Sequence, residues 1–408
     1  MGILSGLKVL DFSTLLPGPF ATMMLADMGA DVLKVESPNR EDLTKVLHPM
    51  DGDVSAAFGH LNRSKRSLAL DLKNDEAKEV IYKLVQDYDI VVEQFRPGVM
   101  DRLGIGYEKL KQINPKIIFC SITGYGQTGP LRNRAGHDIN FLSLAGATSY
   151  SFRKNQIPVP SGIQVADLAG GSLPAVVGIL AAVYHRQQTG EGQSIDLSIT
   201  DAVFALNAMY GSGYLVGGIE PEAESSLLNG GGFYDYYETK DHRYFSVGSL
   251  EPQFQVRLCE LIGDPRLFDL SSSESLQDQQ AYKKVLTTAF KEKTFDEWLA
   301  ILGDDFDGCV EPVLHFSESV QHPQIEARDL VVTVPKLAGG TQKQIAFPIK
   351  FSTRPAEYLF TGVQTGTHSV EILKDAGFDT EAIQRLAEQG VLGKQSKLEE
   401  LLENESTR

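Results

Sequence analysis

The sequence is poor in cysteine, with Cys120, Cys259 and Cys309 the only three in 408 residues. Widely spaced thiols in odd number fit neither a zinc site nor a redox pair, and are expected as reduced groups in or near cores. Positive charge is also scarce: 38 Lys and Arg against 54 Asp and Glu leave a formal net charge of −16. Nucleic-acid binding needs clustered cations, so nucleic acid is not expected as a partner, whereas a phosphorylated small ligand needs only a few local ones. Met1-Gly2-Ile3-Leu4-Ser5-Gly6 has no basic stretch followed by an apolar one, and Gly6 fails the myristoylation pattern. Ser406-Thr407-Arg408 is not a peroxisomal address. The most apolar helix candidate, Pro174 to Tyr184, is too short to cross a bilayer. A cytoplasmic protein with no membrane partner is therefore expected. Three motifs are missing as well: the Gly-x-Ser-x-Gly elbow, His-Glu-x-x-His, and the glycine-rich phosphate loop ending in Gly-Lys-Ser/Thr. Their absence argues against a serine hydrolase, a metal enzyme and a nucleotide-hydrolysing loop, and no metal is expected.

What is present is an ordinary globular composition, 42% hydrophobic and 23% charged, over a length that suits two or three domains. Gly6 to Asp11 reads as a strand that Pro17-Gly18-Pro19 breaks. Phe20 to Met28 carries apolar residues at helical spacing, Gly29 stops it, and Asp31 to Glu36 is a second strand. Strand, helix, strand in succession implies an α/β fold with a parallel sheet. The unit repeats with a strand at Ser67 to Leu72, a helix at Asn74 to Tyr88, and buried strands at Ile90 to Val92 and Ile117 to Ile122. The helix places Ala77, Val80, Ile81, Leu84 and Val85 on one face. Loops at Phe95 to Gly98 and Gly124 to Pro130 leave strand ends, where open α/β sheets bind ligands. Arg96, Arg102, Lys65, Arg66 and Lys73 are placed near such ends and together suit a phosphate-bearing ligand. Gly124 to Gly129 matches Gly-x-Gly-x-x-Gly, but Pro130 follows and no helix opens, so dinucleotide binding is not expected.

Gly170 to Gln187 reads as a helix of small residues, which puts Asp167 at or before a helix start. Asp196 and Asp201 precede or begin a further helix and read as structural. From Asn229-Gly230-Gly231-Gly232 the composition changes. Phe233 to Tyr237 and Tyr244 to Gly248 read as a hairpin turning at Asp241-His242, followed by helices near 252–262, 280–303 and 316–325. After Pro335 the chain is strand-like through Phe351, then helical from Ser369 to Leu402, with a solvated amphipathic end at Leu398 to Glu403.

The chemistry concentrates in Arg134-Ala135-Gly136-His137-Asp138-Ile139-Asn140-Phe141, where a cation, an imidazole, a carboxylate and an amide stand beside glycine. Asp167 and Glu251 offer two more carboxylates farther along. Histidine titrates near neutral pH, so His137 is suited both to take and to give a proton. Two acid/base groups on opposite faces of one carbon make a proton-transfer enzyme.

Gly136-His137-Asp138-Ile139-Asn140 resembles the signature of the α-methylacyl-CoA racemases, members of the family III CoA-transferase superfamily. The resemblance continues, in order, through Leu15-Leu16-Pro17-Gly18-Pro19, Leu25 to Val32, Asp71-Leu72-Lys73, Phe95 to Val99, Thr123 to Pro130, Thr189 to Gln193 and Glu251-Pro252-Gln253-Phe254. It implies a large Rossmann-like domain built from both ends of the chain, a small α+β domain from the middle, and an interlocked homodimer. The expected bounds are 1–200 for the large domain, 201–232 for a linker, 233–330 for the small domain and 331–408 for the return segment.

In the racemases the residues matching His137 and Asp167 carry the proton and the one matching Glu251 supports the histidine. In the transferases the aspartate matching Asp167 is instead a nucleophile that forms an acyl anhydride, and the histidine is usually lacking. The full set His137, Asp167 and Glu251 therefore implies a 2-methylacyl-CoA racemase that needs no cofactor beyond the coenzyme A of its substrate. The alternatives are a CoA-transferase and an inactive acyl-CoA-binding homologue. The implied CoA and substrate contacts are Asp71, Leu72, Lys73, Gln94, Phe95, Arg96, Arg102, Gly136, Asp138, Ile139, Asn140 and Phe141, with the Asp167 N–H serving the enolate. Two features depart from the racemase pattern. Phe141 stands where the signature usually has Tyr, and Gly230-Gly231-Gly232 resembles the glycine-rich loop of the transferases.

Overall fold

A computed structural model describes residues 2–273 and 275–393. By its contacts the chain divides into two units. The first takes the chain up to Leu142, Ile163–Val203 and the part from Glu326 onward; the second takes Ser143–Gly162 and Phe204–Ile325. Ser143–Gly162 thus groups with the second unit and not with residues 1–200. Half of the stretch 201–232, expected as a linker, lies in the helices Ile199–Leu206 and Ala208–Gly217. The amphipathic end expected at Leu398 to Glu403 lies outside the described residues.

The first unit is built on six strands: β1 (Lys8–Asp11), β2 (Asp31–Glu36), β3 (Lys65–Ala69), β4 (Ile90–Glu93), β5 (Ile118–Thr123) and β6 (Ser194–Ser198). Their order across the sheet is β3-β2-β1-β4-β5-β6 and every pairing is parallel. Strands covered on both faces read as continuous apolar runs, and the buried Ile90-Val91-Val92 and Ile118 to Ile122 are such runs. β6 was not expected: Ser194 to Ser198 alternates because its edge position exposes one face, and the two charges nearby read as helix signals. The order reverses between β1 and β4, which makes their C-terminal ends the switch point of the sheet.

Helix α1 (Pro17–Asp27) follows β1 and is buried along nearly all its length. Pro17 begins it instead of preceding it, because proline at a first helical position loses no hydrogen bond. The helix Asp75–Val85 buries the five residues its period predicts, and the Asn74 side chain caps it by accepting from Glu76 N–H. Two helices of the returning chain, Ser369–Asp375 and Thr380–Glu388, send Ile372, Leu373, Ile383 and Leu386 into the same core as Leu10, Leu33 and Val80. The strand-like stretch near Pro335 is a hairpin, Val331–Pro335 against Thr341–Ile345.

Beneath the switch point lies a buried polar cluster. Lys65 Nζ donates to Asp11, Asn62, Thr22 and the Pro19 carbonyl, and Lys34 Nζ donates to the Ser13 carbonyl. Burial drives the Lys65 ammonium down to about 7. Burial pushes the Asp11 carboxyl up, but Lys34 and Lys65 outweigh it and hold the group at about 2. Lys65 therefore serves the core and not a phosphate, since it begins β3 at the end opposite the ligand loops. Arg66 beside it is taken by Asp31, Glu371 and Asp375.

A π-helical turn, Ala166–Ser172, runs straight into helix α3 (Leu173–Thr189). Together they make one stretch of 24 residues with mean hydropathy 1.7, longer than the Pro174 to Tyr184 core expected, and by length and composition enough to cross a bilayer. In this fold Ala175, Val176, Ile179, Ala182 and Val183 are buried within the protein.

In the second unit Asp235–Glu238 and Tyr244–Val247 pair antiparallel, and Val310–Pro312 adds a third strand. The expected hairpin is present, and its helices cover a core rich in aromatics, with Tyr237, Phe245, Phe290, Phe295 and Trp298 in mutual contact. The helix Pro252–Ile262 lies where its period places it, whereas 280–303 is two helices, Leu276–Phe290 and Phe295–Leu302. The three cysteines are free thiols; Cys120 and Cys259 are buried and Cys309 is exposed.

Candidate active site

The loops leaving β1, β4 and β5 converge on a cavity of about 320 Å³ at the switch point. Leu15 and Pro17 come from the first loop, Gln94 to Pro97 from the second, and Ile122 to Tyr125, Arg132 and Arg134 to His137 from the end of β5 and the third. Phe141, Asp167 and Ile199 complete the wall. Of the residues expected in the site, this cavity gathers His137, Asp167, Gln94, Phe95, Arg96, Gly136 and Phe141.

Each wall is fixed by local hydrogen bonding. Gln94 Oε1 accepts the Gly18 N–H at 3.0 Å, which ties the β4 loop to the start of α1. Glu93 Oε2 accepts the Phe95 N–H at 2.7 Å from below. Burial pushes that Glu93 carboxyl up to about 7, against the pull of its hydrogen bonds to Ser121 and Phe95. Leu15 adopts a φ of 63°, a left-handed conformation rare for a branched side chain, and its N–H is held by Asp42 Oδ2 at 3.1 Å.

His137 is exposed at the start of helix α2 (Asp138–Leu144). Its N–H donates to Asn140 Oδ1 at 3.0 Å, and its carbonyl accepts from the Asn140 N–H at 2.8 Å. Asn140 thus reads as the residue that seats the histidine backbone. Phe141 is buried edge-on to Tyr125, with ring centroids 5.3 Å apart. A Cβ at Gly124 would stand 2.4 Å from the Phe141 ring and one at Gly136 2.6 Å from it. The ring therefore fills space that these two glycines leave.

Asp167 is half-buried in the π-helical turn, a distortion that often marks functional sites. Burial raises its carboxyl to about 6, Asp138 adds to the shift, and His137 opposes it. Its backbone N–H donates to Asp138 Oδ1 at 3.0 Å, so this donor is not free to serve an enolate as expected. Asp138, expected among the ligand contacts, accepts this bond through one of its two carboxylate oxygens. Behind the turn, Ser172 Oγ donates to the Pro17 and Asp167 carbonyls.

The other expected residues stand outside the cavity wall. Asp71, Leu72 and Lys73 form the turn after β3, where Asp71 Oδ2 accepts from Asn39 at 3.0 Å and Lys73 is exposed. Arg102 ends the short helix Val99–Arg102, and Ile139 lies exposed in α2. Glu251 belongs to the second unit, at the N-cap of Pro252–Ile262, with no side-chain capping bond.

Several wall residues were not singled out from the sequence as ligand contacts. Arg132 and Arg134 join Arg96, and among the described residues these three guanidiniums have no ion-pair partner. Arg134 was legible as the cation of the histidine stretch; Arg132 carried only its place in a polar loop after a strand. The Thr123 hydroxyl is buried with no hydrogen-bond partner, and nothing in the sequence marks it out from other strand threonines.

The CoA-transferase family III model matches residues 4–369. The chain is 35% identical, over 96% of its length, to an acyl-CoA transferase of Fusarium pseudograminearum, of which it covers 88%. It is 34% identical, over 94% of its length, to the alpha-methylacyl-CoA racemase of Homo sapiens, of which it covers 96%. Among solved structures, a CaiB/BaiF family protein from Brucella suis superposes with a TM-score of 0.80 at 29% identity, over 92% of this chain and all of that one. Relatives named for racemisation and for CoA transfer are thus about equally similar, and similarity does not choose between the two reactions. Cavity, strand order and sequence similarity lead to one conclusion: the chain belongs to CoA-transferase family III.

Proposed function

We propose that the protein is a racemase interconverting (R)- and (S)-2-methylacyl-CoA thioesters. The observation that carries this reading is that His137 and Asp167 line one cavity at the switch point of the sheet. A carbon acid next to a thioester is weak, so a base must act while the developing enolate oxygen is stabilised. One of the two groups takes the α-proton from one face, the C–H electrons move into the thioester carbonyl, and the other group returns a proton to the opposite face. An aspartic acid raised to about 6 holds both protonation states within reach of neutral pH, as a group that alternates between base and acid needs.

The enolate oxygen needs a donor, and the Asp167 N–H is already used. Thr123 lines the cavity, and its hydroxyl, buried without a partner in the free protein, would supply that donor by turning about χ1 toward the ligand. The guanidiniums of Arg96, Arg132 and Arg134 in the cavity wall, with Lys73 and Arg102 outside it, suit the phosphates of coenzyme A. No further cofactor enters the reaction. Glu251 belongs to this reading as the carboxylate that supports His137. So do the Rossmann-like completion of the large domain, a cytoplasmic location and the interlocked homodimer. The last is supported by Phe204, Met209, Leu215 and Val216, whose side chains are exposed on the helices Ile199–Leu206 and Ala208–Gly217.

Transfer of CoA through an Asp167 anhydride is the second reading, since relatives named for CoA transfer are as similar as those named for racemisation. One experiment separates them. The protein is incubated with a 2-methylacyl-CoA in deuterated water, and deuterium at C2 and optical purity are followed. Exchange lost by at least 100-fold in His137→Ala and Asp167→Asn is expected, an effect of the size general acid/base groups supply. No exchange, with CoA passing instead to a free carboxylic acid in an Asp167-dependent and His137-independent way, would replace racemisation with transfer.

A further inference from the structure

Two acid/base groups that work on opposite faces of one carbon must hold a fixed separation, because a displacement near 1 Å can cost on the order of 100-fold in rate. His137 and Asp167 lie far apart in sequence, on a loop after β5 and on the turn before α3. Sequence connectivity alone does nothing to hold them in register.

We propose that Asp138 is the positioning residue of this pair, its carboxylate joining the His137–Asp138 segment to the Ala166–Ser172 turn. The proposal rests on the racemase reading for its kinetic part and on the structure alone for its structural part. Asp138 follows His137 directly, so its backbone moves with the imidazole. Its Oδ1 accepts the N–H of Asp167 at 3.0 Å, so the same side chain grips the backbone of the second group. The two ends of the link are themselves anchored. Asn140 holds both backbone groups of His137, and Ser172 Oγ bonds the Asp167 carbonyl at 3.2 Å. The far side of the turn is packed without charge: a Cβ at Gly170 would meet Val203 at 2.7 Å and one at Gly171 would meet Pro17 at 3.0 Å. Helix α1 therefore faces the turn with Pro17, and the Ile199–Leu206 helix faces it with Ile199 and Val203, while Asp201 of that helix is exposed.

The link also has an electrostatic consequence. The charged groups acting on the Asp167 carboxyl are Asp138, which raises it after burial has done so, and His137, which lowers it. A carboxylate that holds the Asp167 backbone thus also favours the protonated form of the Asp167 side chain.

Two substitutions separate anchoring from charge. Asp138→Asn keeps an oxygen that accepts the Asp167 N–H and removes the charge. Its acid limb in kcat/KM for α-proton exchange is expected to move down by about one pH unit. Asp138→Ala removes the anchor, and kcat is expected to fall roughly 10- to 100-fold with a small change in KM. An unmoved acid limb in the first variant, or a parental kcat in the second, overturns the proposal.

A readout without substrate keeps it testable if the reaction proves to be CoA transfer. Asp167 has a raised folded pKa, so it favours the folded state below its unfolded value and loses that contribution as pH rises through about 6. Asp167→Asn should therefore raise Tm at pH 7.5 relative to the parent, and this gain should shrink when Asp138→Asn is present. An equal gain in both backgrounds means that Asp138 does not act on Asp167, whatever the reaction is.

Discussion

At the scale of single residues, the cavity is defined by what each polar group is already doing. The Asp167 N–H is held by Asp138, the His137 N–H by Asn140 and the Phe95 N–H by Glu93. The Thr123 hydroxyl has no such partner, and an unpaired buried hydroxyl costs about 1–3 kcal/mol. Thr123→Val keeps the shape and removes that cost. Thermal unfolding should show stability unchanged or slightly raised, and under the proposed racemisation kcat/KM should fall about 10-fold as the enolate loses a donor. Loss of stability with unchanged kcat/KM would make Thr123 a structural residue. His137 was legible from its polar, glycine-flanked setting, and Asp167 through the resemblance to the racemases. Thr123 and Arg132 were not, because a threonine ending a strand and an arginine in a loop are common, and only the cavity shows which face they share.

At the scale of elements, the β5 loop and helix α2 are fitted to each other through Phe141. The ring sits against the positions of Gly124 and Gly136, where a Cβ would come within 2.6 Å of it. Gly124→Ala must therefore move the ring and the first turn of α2 with it. We expect a destabilisation of about 1–3 kcal/mol and a loss of activity larger than the population of unfolded protein explains. Gly124→Ala with Phe141→Leu should recover part of both, since the smaller side chain yields the space; a strictly additive pair in a double-mutant cycle would show that the two positions do not press on each other. Phe141 in place of tyrosine then reads as a packing residue, with no hydroxyl needed at a ring already enclosed. Strand β6 escaped the sequence reading for a related reason. An edge strand is covered on one side only, and its short alternating pattern is outweighed by neighbouring helix signals.

At the scale of the whole molecule, exposed apolar helices are the feature that a single chain leaves unexplained. Val216 is 92% and Leu215 75% accessible, on a helix whose composition is otherwise that of a buried one. Patches of this kind mark association surfaces. Under the proposed homodimer, Leu215→Glu is expected to lower the molecular weight to that of a monomer in sedimentation equilibrium at micromolar concentration. A parental molecular weight in that variant would remove this helix from the interface. The charge balance of −16 acts at the same scale: the surface repels anions overall, so the three guanidiniums of the cavity are a local exception that a phosphorylated ligand would find.

The sequence by itself determined the class of fold and the chemistry on offer. Strand and helix periods depend on neighbours two to four residues apart, so the alternating α/β order, the helix Asp75–Val85 with its five buried residues and the helix Pro252–Ile262 could all be read locally. The residue types able to move a proton were visible for the same reason. Only the tertiary structure decided which of them meet. Strand order brings the ends of β1, β4 and β5 together, and that order depends on contacts between residues far apart in the chain. It places His137 and Asp167 in one cavity and Lys65 in the core, bonded to Asp11. It also joins the Asp138 carboxylate to the Asp167 backbone, a hydrogen bond across 29 positions that leaves no trace in local pattern.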